Sequence, residues 1–341
     1  MLFKTSTNMQ LVQINHPRHG RKVAKVEGNE LIVLHYFTSA YGLAQRAIDQ
    51  GLTLEALTDT HLGQNKLDYD PIYEGKSDWK LLPAFDHPTD PLHCLISGTG
   101  LTHKASAENR ERMHQAEAQG DLTDSMIMYQ WGVAGGQPKK GEIGVQPEWF
   151  YKGNGTGLRA HGEPLERPAF ANDGGEEPEV AGLYTISDKG EVYRVGFATG
   201  NEYSDHVMER KNYLYLAPSK LRSCSVGPEL ITGSDFKDLS GKVAIYRAGS
   251  EIWSTEVQTG EANMAHSLAN LEYHHFKYPN HRVPGQVHIH YFGTGAFSFG
   301  SGVVVTDGDM MEVDWHGFGR PLRNPMSVTD GPEKPVNIRI L

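Results

Sequence analysis

The chain has very little cysteine: Cys94 and Cys224 are the only two in 341 residues. That is too few for a disulfide framework or a thiolate zinc site. Long apolar runs are missing as well. Stretches such as Leu31-Ile-Val-Leu fall far short of the roughly 20 residues that a membrane-spanning helix needs, so no membrane partner is expected. Positive charge is in deficit: 42 Asp and Glu against 32 Lys and Arg give a net charge of −10. A surplus of that sign argues against nucleic acid and anionic lipid as partners. The opening residues, Met-Leu-Phe-Lys-Thr-Ser, lack a signal-peptide core, and a cytoplasmic location is expected. There is no internal repeat and no low-complexity tract.

Glycine is plentiful, with 38 residues, and 18 prolines accompany it. That balance points to many turns and short strands rather than a helical bundle. Leu11-Val-Gln-Ile, Lys22-Val-Ala-Lys-Val and Glu30-Leu-Ile-Val-Leu read as strands, with a Gly28-Asn29 turn between the last two. A helix is predicted from Ser39 to Gln50, capped by Ser39 and stopped by Gly51. Leu81 to Leu95, with Pro83, Pro88 and Pro91, reads as a linker. The expected organisation is a small N-terminal α+β domain with its linker over 1–90 and a catalytic domain over 91–341. A polar helix is predicted over Ser106 to Gln119, and a long ordered loop over 133–176. Beyond 177 short strands dominate, among them Gly302-Val-Val-Val-Thr and Asp309-Met-Met-Glu-Val, broken by one helical segment from Glu261 to Phe276.

The acidic residues carry the chemistry. Glu177 and Glu179 open the β-prone run Val180-Ala-Gly-Leu-Tyr-Thr-Ile. Side chains two apart on a strand share a face and lie roughly 6–7 Å apart. Glu202 follows a second β-like run, Tyr193-Arg-Val-Gly-Phe-Ala-Thr. Three convergent carboxylates suit a hard divalent ion, Mg²⁺ or Mn²⁺, with positions left open for water and substrate. The segment from Asp173 to Glu179 also fits a solvated acidic loop, and taken alone it leaves both readings open. His288-Ile-His290 sits on a predicted strand with both rings on one face, but no third ligand completes a familiar metal spacing, so a structural role is expected. His274-His275 is expected at the surface or an interface, Arg320 and Arg323 in solvent, and Cys224 in packing.

The order Glu177-x-Glu179, Asn201-Glu202-x-Ser204, Lys220 with Pro228 eight residues on, Gly293-Thr294 and Gly308-Asp309-x-x-Glu312 resembles the fumarylacetoacetate hydrolase superfamily over roughly residues 94–325. The runs Gly144-Val-Gln-Pro-Glu-Trp-Phe-Tyr-Lys-Gly and Gly260-Glu-Ala-Asn-Met-Ala-His-Ser are similar to a bacterial branch linked to arabinose and other pentose catabolism. The resemblance implies an α+β, mainly β fold, a mixed β-sandwich roll, assembled as a homodimer and holding Mg²⁺ or Mn²⁺. It implies metal ligation by Glu177, Glu179 and Glu202, the last standing where the superfamily usually has aspartate. Lys220 is the catalytic lysine by this resemblance, and Lys152, His206 and Thr294 fall at substrate-binding positions, His206 replacing an arginine. His103, with Glu108, corresponds to a water-activating His-x-x-Glu pair, here at wider spacing.

The implied substrate is a 2-keto-3-deoxy sugar acid, whose carboxylate and keto oxygens chelate the ion. Loss of a C3 proton and then of the C4 hydroxyl would turn a 2-keto-3-deoxy-pentonate into 2,5-dioxopentanoate. The stretched His103–Glu108 spacing favours dehydration. A carbon–carbon hydrolase of a 2,4-diketo acid and a non-catalytic sugar-acid or metal-binding protein are the alternatives.

Overall fold

The computed structural model describes residues 8–108, 123–233, 235–329 and 331–341. The first three predicted strands form as Gln10–His16, Gly20–Glu27 and Glu30–Leu34. The helix Ala40–Gln50 begins after Ser39, whose side chain accepts a hydrogen bond from the Gly42 amide, and it ends at Gly51 in the left-handed region (φ 63°). A cap of this kind contributes about 1 kcal/mol, and glycine enters that region without a side-chain clash.

These N-terminal strands are the outer part of a thirteen-stranded sheet. Gln10–His16 pairs with Leu230–Ile231, which adjoins Val192–Asn201, followed by Pro178–Ile186, Val287–Tyr291, Cys94–Gly98 and Phe150–Asn154. The strand Pro178–Ile186 is buried along its whole length, and its side chains alternate between two cores. On one side Ala181 and Leu183 pack with Leu43, Ala47 and Leu57 of the N-terminal helices. On the other, Val180 and Tyr184 meet Val243, Val257, Val313 and Trp315 of a second, five-stranded sheet, together with Leu268 and Leu271. The result is a mainly β, α+β roll of two packed sheets, as expected.

Several local expectations are corrected. The proline-rich stretch after Leu81 is packed into the molecule: Ala84 and Phe85 are fully buried, and the Ala84 amide donates to the Val226 carbonyl at 3.1 Å. The supposed loop over 133–176 receives the end of a helix, Asp124–Gly135, and contains the strands Phe150–Asn154, Leu158–Arg159 and Leu165–Arg167. Gly302 to Thr306 is not a strand. A 3₁₀ turn over Ser298–Ser301 ends at Gly302 (φ 78°), and Val304 is exposed, so β-branched composition is overridden by the turn. The 261–276 segment splits into a 3₁₀ turn, Glu261–Asn263, and a helix, Leu268–Phe276. Of the polar helix predicted from Ser106, only the first turn, from Lys104 to Glu108, lies within the described residues. No helix among those residues is long and apolar enough to cross a membrane.

Candidate metal centre

Strand register builds the site. In the antiparallel pair of Pro178–Ile186 with Val192–Asn201, Pro178 stands opposite Asn201 and Glu179 opposite Gly200. One step further the Glu202 amide donates to the Glu177 carbonyl at 2.9 Å, so Glu177 and Glu202 face each other where the two strands end. Gly200 must be small, because a Cβ there would come within 2.5 Å of the Tyr291 ring. The carboxylates of Glu177, Glu179 and Glu202 are buried, and each offers an oxygen within 4.8 Å of the others. They are the one such group of three found among the described residues.

Three buried carboxylates cost several kcal/mol each unless cations attend them. Two lysines do. Lys220 ends the short helix Leu216–Lys220, and its Nζ donates to both Glu177 oxygens at 2.6 and 2.7 Å and to Glu202 Oε2 at 2.7 Å. Lys152, on the strand Phe150–Asn154, lies 2.7 Å from Glu202 Oε1. Ser204 Oγ donates to Glu202 Oε2 at 3.0 Å. Burial opposes the charge on Lys220, but Glu177 and Glu202 outweigh it and hold its pKa above the ordinary value. Burial likewise acts against the Glu177 anion, yet Lys220 and His206 keep that carboxyl well below the usual range.

Glu179 is less well supplied. Its Oε2 accepts from the Gly293 amide at 2.6 Å. Burial, then the charges of Glu202 and Glu177, push its carboxyl well above the usual range. A carboxylate short of positive charge, beside two others in an all-oxygen donor set, fits a hard divalent ion. With all three ionised, as ion binding would require, the carboxylates and the two ammoniums sum to one formal negative charge. A divalent ion would convert that to one net positive charge, which suits an anionic ligand.

The remaining predicted residues fall into two groups. His206, at the start of the helix His206–Lys211, places Nε2 3.2 Å from Glu177 Oε1. Thr294 is in the turn that binds Glu179, and its hydroxyl donates to the Ala296 carbonyl at 2.8 Å. His103 packs against Gly295 of the same turn, with Nδ1 2.9 Å from Thr102 Oγ1 and Nε2 3.0 Å from Thr259 Oγ1. Burial lowers its pKa to about 4, so the ring is neutral. Glu108 is not brought to it. Its half-exposed carboxylate faces Lys104 at 3.6 Å, since five residues along a helical turn rotate a side chain by roughly 140°.

Other expectations change too. His275 is fully buried rather than at the surface, with Nε2 3.0 Å from His288 Nδ1. His290 Nδ1 meets Ser97 Oγ at 2.8 Å. Arg320 and Arg323 are engaged with Asp70 and Glu312. Glu176, unremarked in the sequence, is completely buried beside the metal pair. Two adjacent glutamates give no sign of which one points where.

No family model matches the chain. A curated relative, the probable 2-keto-3-deoxyxylonate dehydratase of Haloferax volcanii, is 30% identical over 121 residues, 34% of this chain. The match spans 40% of that relative's own length. Solved structures of 2-keto-3-deoxyarabinonate dehydratase superimpose with a TM-score of 0.71 at 18% identity, over 95% of this chain and 100% of theirs. Similar to this is a 2-keto-3-deoxy-D-arabinonate dehydratase complexed with magnesium and 2,5-dioxopentanoate, with a TM-score of 0.69 and the same coverage. The 5-carboxymethyl-2-hydroxymuconate delta-isomerase of Mycobacterium smegmatis follows at 0.57 and 17% identity, over 95% of this chain and all of that one. The chain therefore shares the fold of these solved structures, a mainly β roll as its motifs anticipated.

Proposed function

We propose that this chain is a magnesium-dependent hydro-lyase that converts a 2-keto-3-deoxy-pentonate into 2,5-dioxopentanoate. The observation that carries this reading is the buried trio Glu177, Glu179 and Glu202 with two ammonium groups on it. The curated relative and the magnesium complex among the solved structures support the substrate class. Working as a homodimer in the cytoplasm is part of the same proposal.

The reaction balances as loss of one water. A proton leaves C3 and hydroxide leaves C4, which gives a C3–C4 double bond conjugated with the 2-keto group. A proton then moves from C5 to C3, and the resulting 5-enol becomes the aldehyde. A bound ion would polarise the 2-keto oxygen and make the C3 proton more acidic. Lys220 holds a fixed positive charge beside the developing enolate, where a preorganised cation is worth more than in water. Lys152 neutralises Glu202, and we assign Thr294 to the substrate carboxylate, which would take the hydroxyl proton now given to the Ala296 carbonyl. His103, neutral and buried, is the group we assign to proton transfer.

Hydrolysis of a diketo acid would need an activated water. The separation of Glu108 from His103 supports elimination instead. We expect His103→Ala to lower kcat by about 10²-fold or more and Glu108→Ala by less than about tenfold. Equal, non-additive losses in steady-state assays would favour the hydrolase.

The reading is tested by incubating the protein with a panel of 2-keto-3-deoxy-pentonates and -hexonates, with Mg²⁺ or with EDTA, and identifying products by NMR. Metal-dependent formation of 2,5-dioxopentanoate is expected from a pentonate. No turnover and no deuterium exchange at C3 across the panel would overturn it.

A further inference from the structure

Glu176 adjoins Glu177 in sequence, but its carboxylate is bonded to a separate segment. Its Oε1 accepts from the Ser298 amide at 2.5 Å and its Oε2 from the Ser298 hydroxyl at 2.9 Å. Ser298 is flanked by Phe297 and Phe299, and the two rings enclose His206. The Phe297 ring is 5.0 Å from the imidazole and 6° from parallel. The Phe299 ring is 5.1 Å away at 24°.

The imidazole is pressed from a third side: a Cβ on Gly175 would lie 2.9 Å from His206 Cε1 and Nδ1. Held this way, the ring directs Nε2 to Glu177 Oε1. Its Nδ1 is buried without a hydrogen-bond partner, with Asp173 Oδ2 4.0 Å away. Glu177 supplies its one hydrogen bond among the described residues and Asp173 a charge at 4.0 Å, so the aromatic walls share in setting its orientation.

We propose that Glu176 is a positioning residue for the metal centre: by anchoring Ser298 it holds the Phe297–Phe299 walls that aim His206 at Glu177. The sequence Gly175-Glu176-Glu177 then works as a unit. Gly175 makes room for the imidazole, Glu176 fixes the walls beside it, and Glu177 receives its nitrogen. The link runs through backbone and ring contacts, so loss of the anchor lets His206 rotate off Glu177 without removing any metal ligand. The effect on turnover rests on the dehydratase reading, whereas the effect on the imidazole does not.

The test compares Glu176→Ala, Glu176→Gln and Phe299→Ala. A proton on an imidazole stacked between two rings has a ring-current-shifted NMR signal, which can be followed in the metal-free protein and assigned with His206→Gln. In Glu176→Ala and Phe299→Ala that signal should move toward its ordinary position. Mn²⁺ affinity, read by titration, should weaken by about three- to tenfold as Glu177 loses its orienting partner, less than the about 10- to 100-fold for a residue that orients a ligand directly, because Glu176 acts one contact further out. On the pentonate, kcat should fall about tenfold while KM changes less. Glu176→Gln can still accept from the Ser298 amide and hydrogen-bond its hydroxyl, and should retain the shifted signal and near-normal metal affinity. If Glu176→Ala does not fold, Mn²⁺ affinity in Phe299→Ala carries the comparison without touching the carboxylate, since deleting a ring removes its own ring current whatever the imidazole does. An unmoved His206 signal in folded Glu176→Ala, or an unchanged Mn²⁺ affinity in folded Phe299→Ala, overturns the proposal. So does a Glu176→Gln variant as impaired as the alanine, which would make charge rather than anchoring the contribution. An inactive wild-type protein with the expected signal changes would reject the proposed reaction and leave the positioning role standing.

Discussion

Replacing Glu179 with glutamine should give a folded protein that scarcely binds Mg²⁺ and scarcely turns over. The amide still accepts the Gly293 hydrogen bond, so the local structure is kept while one negative charge is lost. Glu179 is the carboxylate with no lysine against it in the hydrogen bonds described, and its environment pushes it toward the protonated state. A divalent ion is the partner that would reverse this. Changing a residue that merely orients a ligand costs about 10- to 100-fold in affinity, so losing a ligand should cost at least ~10²-fold. Isothermal titration with Mg²⁺ and an assay at saturating keto acid read the two effects. Full activity in metal-stripped Glu179→Gln would rule the centre out.

Lys220→Met should lower kcat by several hundredfold or more with a smaller change in KM, because a fixed cation near a developing enolate acts mainly in the transition state. Methionine keeps most of the volume and the contact with the Phe150 ring, over which the ammonium now lies at 4.9 Å. It also leaves Glu177 and Glu202 without the ammonium that bridges them. Breaking a buried pair from one side costs about 3–5 kcal/mol, so the metal-free variant should melt well below the wild type and recover part of the loss with Mg²⁺. Thermal unfolding with and without the ion separates this from the catalytic effect. A kcat within tenfold of wild type, with the protein folded, would remove Lys220 from the mechanism.

Much of the centre was legible because it follows from strand periodicity. Glu177 and Glu179 are two apart at a strand mouth, and their convergence with Glu202 needs only that the two strands pair in register. Lys152, Lys220 and His206 were found through motif order, since nothing in their local sequence reveals that they turn inward from three different elements. The helices His206–Lys211 and Leu216–Lys220 went unseen because at six and five residues they are too short to show a period. Glu108 misled for the opposite reason: it is near His103 in sequence but on another side of the helical turn. The buried His275–His288 contact shows the same limit, as a histidine pair reads as polar until tertiary packing encloses it. Glu176 could not be told from Glu177 by sequence, because the difference is one step around a strand mouth.

The order in which the large sheet is stitched together bears on how the chain reaches it. Gln10–His16 finds its inner neighbour only at residues 230–231, and Cys94–Gly98 pairs in parallel with Val287–Tyr291, almost two hundred residues later. During synthesis the early strands therefore emerge with one edge open and wait for partners not yet made. Such non-local pairing slows folding and leaves strand edges available for association between chains. Every strand that feeds the carboxylate cluster also depends on the late Val287–Tyr291 segment, directly or through a neighbour. A nascent chain stopped short of that segment would carry all three glutamates and both lysines, yet lack the strand that joins Lys152's side of the sheet to the glutamates.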